Sequence, residues 1–210
     1  MWDMAKFQIE SIDEPIGSDA EASFAVARLI SRAEYLGVWP ELQGERVVNR
    51  AFLNTLFVKL VGAGLVRDDR LRLSNANTAA EYRSLFEHVL EVIEHSPLPA
   101  SEWAPLHNVL GDELLANLLD ISAASLRRYS RNERSTPDDI AGRLHFLALV
   151  VSDLSGSYND YGIRRWFARP RQVLESKSPA AVLEGGFEPT GDAARTVSRL
   201  AADLLGAGAA

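Results

Sequence analysis

The stretch Gly111-Asp-Glu-Leu-Leu-Ala-Asn-Leu-Leu-Asp-Ile-Ser-Ala-Ala-Ser-Leu-Arg-Arg-Tyr129 decides the reading of this chain. Leu114, Leu115, Leu118 and Leu119 fall at helical spacing, so one side of a first short helix faces a core. Ala116 is small where a neighbouring helix must approach closely, and Ile121 plugs the turn. Ser122 can cap a second helix through its hydroxyl, and Leu126 and Tyr129 fill that helix's inner face. Its outer face is left with Ala123, Ala124, Ser125, Arg127 and Arg128. Two short crossed helices of this kind are either a helix-turn-helix or an α-hairpin used for packing alone.

Working outward, short helical patterns surround this core: Glu102 to Leu110 before it, then Thr136 to Ser152, Asn159 to Phe167, Pro179 to Leu183 and Asp192 to Leu205. Upstream, Ser96-Pro97-Leu98-Pro99-Ala100 is the best domain boundary, because two prolines break helical continuity. Ahead of it, helices are expected from Ser18 to Leu36, ended by Gly37 and Pro40, from about Glu45 to Val61, and from Thr78 to His95. Between the last two, Gly62 to Leu73 alternates apolar and polar residues around Asp68-Asp69, which predicts a short β-hairpin. Either a winged-helix-like arrangement or a helical domain with a small β-turn excursion satisfies that pattern. Residues 1–18 read as an extended or poorly ordered arm, and the tail from Gly206 reads as frayed. The expected fold class is mainly α. Its parts are an arm at 1–18, a helical domain at 19–96, an Xre-like helix-turn-helix at 101–155 and a binding region at 156–206.

Among the 210 residues 47% are hydrophobic and 24% charged, as in a packed globular protein rather than a disordered one. Cysteine is absent, which excludes disulfides, thiolate catalysis and thiolate metal sites. Asp3, Lys6 and Glu10 interrupt the first residues, so no signal peptide is expected there, and the apolar run Leu144 to Val151 is too short for a bilayer. The chain is expected to be soluble and cytoplasmic, with no membrane partner. A net charge of −7 argues against indiscriminate coating of nucleic acid. Two basic islands stand out nonetheless. The first carries Arg127, Arg128, Arg131 and Arg134 against Glu133, the second Arg164, Arg165, Arg169, Arg171 and Lys177 against Glu175.

The first island, with Ser122, Ala123, Ala124 and Ser125, resembles the Xre/Cro helix-turn-helix, whose second helix can lie in the major groove. Small side chains permit close approach, and Arg127, Arg128 and Arg131 suit phosphate or guanine contacts. Asp120 stands where that family usually has glycine. The alternative is a helix-turn-helix that keeps dimerisation and has lost DNA binding.

The second island continues as Tyr161-Gly-Ile-Arg-Arg-Trp-Phe-Ala-Arg-Pro-Arg-Gln-Val-Leu174, followed by Lys177-Ser-Pro-Ala-Ala-Val-Leu183. A Trp in the last turn of a helix stopped by Pro170 is pinned by packing and can leave an amphipathic edge, although such a corner can equally be packing alone. With the preceding segment it resembles the toxin-binding region of Xre/MbcA/ParS-type antitoxins over roughly residues 103–206. Trp166-Phe167, Pro170, Leu174, Ser178-Pro179 and Val182-Leu183 follow that family's order, and Val197 and Leu200 fit its closing helix. Glu175-Ser176 replaces a pair that is often glycine. The resemblance implies a RES-type, NAD-degrading toxin as partner, bound through Arg164, Arg165, Trp166, Arg169, Leu174, Ser178, Pro179 and Leu183. It also implies a homodimer and repression of the protein's own operator. The alternative is a helix-turn-helix transcriptional regulator that has no toxin.

Catalytic patterns are not evident. His88, Glu91 and His95 share a helix face, but two histidines seven apart make a poor zinc site, so surface or capping roles are expected. Asp138-Asp139 suits a helix start. The expectation is a binding module without metal or cofactor, not an enzyme.

Overall fold

The computed structural model describes residues 3–4, 7–38, 47–66 and 69–207. The chain divides into two units, Met1–Ser96 and Pro97–Ala210. Both are built mainly of helices.

In the first unit, β1 (Asp3–Met4) pairs antiparallel with β2 (Phe7–Gln8), and β3 (Ser11–Ile12) runs parallel to β4 (Val47–Val48). A 3-10 turn at Ile16–Ser18 leads into α1 (Ala20–Tyr35). Ser18 lies in that turn, and Asp19 is the cap, its side chain accepting from the Ala22 N–H. Then come α2 (Arg50–Gly62), α3 (Asp69–Asn75) and α4 (Ala79–Glu94). Asn49 caps α2 through the Phe52 N–H, so α2 starts later than the periodicity suggested and Val47–Val48 is strand; Glu45, like Pro40, lies outside the described residues. The α1 and α4 helices pack together, burying Ala22, Val26, Leu29, Ile30 and Ala33 against Tyr82, Phe86, Val89 and Ile93. Each large apolar side chain so buried contributes about 2 kcal/mol. Across the same pair Arg28 and Arg32 both reach Glu94, at 2.8 and 3.4 Å.

The hairpin expected at 62–73 is not formed. Its second arm is the helix α3, and Asp68 of its turn lies outside the described residues. The reason is tertiary. Leu71 and Leu73 fit either period, but Arg50 of α2 donates from Nη2 to the carbonyls of Leu73, Ser74 and Ala76, at 3.3, 3.3 and 2.6 Å. The last carbonyls of a helix have no partner within it, so this one side chain satisfies an end that a strand would not present.

The second unit comprises α5 (Pro99–Leu119), α6 (Ala123–Ser130), α7 (Asp138–Ser155), α8 (Asp160–Ala168), α9 (Pro179–Leu183) and α10 (Asp192–Ala207). The central element is α7, which packs against α5 and α10 and buries every residue from Leu144 to Ser155 except the half-buried Leu149. A helix apolar on all sides belongs inside a bundle. One ionisable pair is carried into this core. Glu102, fully buried, lies 2.6 Å from His145 Nδ1 through Oε1, which also accepts from the Leu98 N–H. Residues 101–155 and 156–206, set apart in the sequence reading, lie in this same unit. Among the described residues no helix is long and apolar enough to cross a membrane.

Candidate functional site

Both basic islands lie in the second unit, and each is positioned by a break in its helices. Gly111 divides α5 into two arms. With φ 75 and ψ 165 it sits in a region open essentially to glycine alone, and the second arm starts from that bend. This arm ends at Leu119, where Asp120 takes a left-handed conformation (φ 54, ψ 48). The Ile121 N–H returns to the Ala116 carbonyl at 3.1 Å, closing the helix end in the manner usual for a left-handed cap. Ser122 then accepts from the Ser125 N–H at 3.1 Å and starts α6.

Leu115, Ala116, Leu118, Leu119, Leu126 and Tyr129 are buried, while Leu114 and Ile121 are half-buried. Tyr129 stacks on Trp103 with ring centroids 6.1 Å apart, which anchors α6 to the first arm of α5. From α7, Arg143 donates to the Leu119 carbonyl at 2.8 Å and pairs with Asp139. Gly186 (φ +84) closes over the same turn: a Cβ there would lie 3.4 Å from Arg143 Nη1 and 3.5 Å from Asp120 Oδ2. The C-terminal region thus touches the turn of the two-helix element.

Ser122, Ala123, Ala124, Arg127, Arg128 and Arg131 are all exposed, and Ser125 is half-buried. This face is small at its start and basic behind. Arg131 faces Glu133 at 3.8 Å, and Arg134 lies over the Tyr129 ring at 5.8 Å.

In the second island, Asn159 caps α8 by accepting from the Gly162 N–H. The helix ends at Ala168 because Arg169, preceding Pro170, is pushed to extended backbone (φ −84, ψ 122). The chain then folds tightly from Arg171 to Lys177, where the Arg171 N–H donates to the Lys177 carbonyl at 3.0 Å. Both residues of the pair Glu175-Ser176 are left-handed, with φ 54 and 63. Ser178 caps α9, with Pro179 at its first turn, where a missing N–H does no harm.

Burial divides the residues expected to touch a toxin. Trp166, Leu174, Pro179 and Leu183 are buried in the unit. Arg164 donates to the Val109 carbonyl at 2.6 Å, and Ser178 is spent on its cap. These six build the corner, because the first four bury their apolar surface within the unit and Arg164 and Ser178 spend hydrogen bonds inside it. Arg165 and Arg169 stand at its surface. Around them the structure exposes Tyr158, Tyr161 and Val173, which the sequence pattern did not single out. The i, i+4 spacing of Tyr161 and Arg165 was the available signal, and the guanidinium lies 5.8 Å from that ring.

Arg171 lies 4.8 Å from the centroid of the Trp166 ring. Burial lowers its pKa from the usual arginine value, with the neighbouring Arg169 charge adding to the effect and Tyr158 opposing it. The histidines are placed apart: His95 at the end of α4, its Nδ1 2.8 Å from the Glu91 carbonyl oxygen, His107 against Asp112, His145 in the core and His88 half-buried on α4. No protein-family model matches the chain, and no curated protein or solved structure matches it.

Proposed function

We propose that the second unit is a protein-binding antitoxin module that neutralises a RES-type, NAD-degrading toxin by covering its substrate cleft. One observation carries the reading. A two-helix turn with a left-handed Asp120 and an outward small and basic face is followed, in the same unit, by the Trp166, Pro170, Ser178-Pro179 and Leu183 corner. The first part suits a major groove and the second suits a protein partner. Repression of its own operator, as a homodimer, is the second role of this reading.

Co-expression of the full chain with the protein encoded by the adjacent reading frame tests it. The expected result is a stable complex, restored growth and preserved NAD. A toxic neighbour that is neither bound nor relieved overturns the reading.

The exposure of Ala123, Ala124, Arg127 and Arg128 favours a second reading, a helix-turn-helix regulator without a toxin. Operator binding measured against salt separates the two. Loss of Arg127 and Arg128 then flattens the salt slope by about one to two phosphate contacts. An absence of specific DNA binding by the intact chain removes both this reading and the autorepressor role.

A further inference from the structure

We propose that the edge formed by α8 and the Arg171–Lys177 loop docks an extended segment of a partner protein in which carboxylates alternate with apolar side chains. The inference rests on the reading of this unit as a protein-binding module, and names the chemistry of what it binds.

Three observations converge. Among the described residues four large hydrophobic side chains are exposed, and three of them, Tyr158, Tyr161 (62%) and Val173 (61%), lie on this edge. Exposed apolar groups gathered beside arginine are the composition of a protein-binding surface. Second, Arg165, Arg169, Arg171 and Lys177 have no ion pair among the described residues, although the chain carries a net charge of −7. Asp160 and Glu175 lie on the same two elements, yet among the described residues neither pairs with any of these four cations, so complementary charge is left for a partner.

Third, the Trp166 Nε1–H and the Arg171 Nε–H are both buried and have no acceptor among the described residues. Trp166 is 3% exposed beneath the stacked guanidinium. Unmet donors are costly to keep, and both belong to one stacked pair whose upper member is a flexible side chain. A partner carboxylate that draws Arg171 outward gives its Nε an acceptor. Val173 and Tyr161 then flank the bound segment and receive its apolar side chains. Their aliphatic and phenolic surface favours a protein segment over a nucleic-acid backbone, which offers no apolar side chains to cover Val173.

The test uses a library of short random peptides displayed on a cell surface and panned against the full chain. The Arg171→Gln/Val173→Ser double variant serves as the comparison, and Arg199→Gln on α10 as a charge-matched control. Far-UV circular dichroism verifies that each variant keeps its helix content. Recovered peptides are expected to be enriched in Asp and Glu beside Leu, Phe or Tyr, to lose about tenfold in affinity for the double variant and to keep it for the control. Peptides without acidic enrichment, or equal binding to the double variant, overturn the proposal. So does a single-stranded oligonucleotide that binds this edge more tightly than the peptides. The assay contains no toxin, so failure of the antitoxin reading in co-expression leaves its outcome legible. Conversely, a chain that neutralises its toxin equally well with both substitutions retains the antitoxin reading and loses this surface.

Discussion

Arg143 of α7 donates from Nη1 to the Leu119 carbonyl at 2.8 Å, so the end of the first short helix of the turn is held by a side chain 24 residues away. Arg164 does the same for the end of the preceding arm, donating to the Val109 carbonyl. Both arginines satisfy carbonyls that a helix end leaves unpaired.

Arg143→Ala and Arg164→Ala are therefore each expected to destabilise the protein by about 1–3 kcal/mol, the range for a charged hydrogen bond. Arg165→Ala, one residue from Arg164 but exposed, is expected to change stability by about 0.5 kcal/mol or less. Urea denaturation of the three variants checks this ordering. Equal losses at Arg164 and Arg165 would contradict the assignment of Arg164 to structure.

Glu102 is fully buried, and its Oε1 lies 2.6 Å from His145 Nδ1 and accepts from the Leu98 N–H. Glu102→Ala leaves buried polar groups behind and is expected to lose about 2–4 kcal/mol. Glu102→Gln keeps a carbonyl for the Leu98 N–H and should lose less. Thermal unfolding ranks the two. A Gln variant as unstable as the Ala variant would indicate that charge, not hydrogen bonding, matters at this site.

Glu175 and Ser176 hold left-handed backbone, as does Asp120. A side chain there costs about 1–2 kcal/mol, part of which glycine returns as extra freedom of the unfolded chain. Glu175→Gly and Ser176→Gly are each expected to stabilise by about 0.5–1 kcal/mol, and Asp120→Gly by less, since aspartate tolerates this conformation well. Denaturant midpoints measure the gain. A loss at Glu175 would mean that its carboxylate makes a contact outweighing the backbone relief.

Glu81 accepts from the N–H groups of Asn77 and Thr78 at the start of α4, and these bonds hold its carboxyl below the ordinary value of 4.5. A depressed folded-state pKa means that the stabilisation is present above the unfolded value and is lost as pH falls through the folded one. Glu81→Gln, which can still accept these bonds but does not titrate, is expected to be less stable than the wild type near neutrality. The difference shrinks below pH 4.5. Melting temperatures of both proteins across the acidic range test the sign. A gap that widens on acidification would reverse it.

Much of the two-helix turn was legible because its signals are local. Ser122 and Asn159 cap within three residues of themselves, Leu115, Leu118, Leu119 and Leu126 keep a helical period, and Pro170 ends α8 through its own ring. The hairpin reading failed where the deciding contact came from Arg50, more than twenty residues from the carbonyls it satisfies.

The candidate binding corner shows the same division. The sequence by itself determined that a helix would stop at Pro170 with Trp166 pinned in its last turn, because proline fixes its own backbone and cannot continue the helix. Leu174, Ser178-Pro179 and Leu183 were pointed to only by the order that the resemblance implies. Tertiary structure alone decided which of these face inward. Burial depends on the helices packed from elsewhere in the unit, and their closure puts Trp166 and Leu183 inside and leaves Arg165, Arg169, Tyr161 and Val173 at the surface.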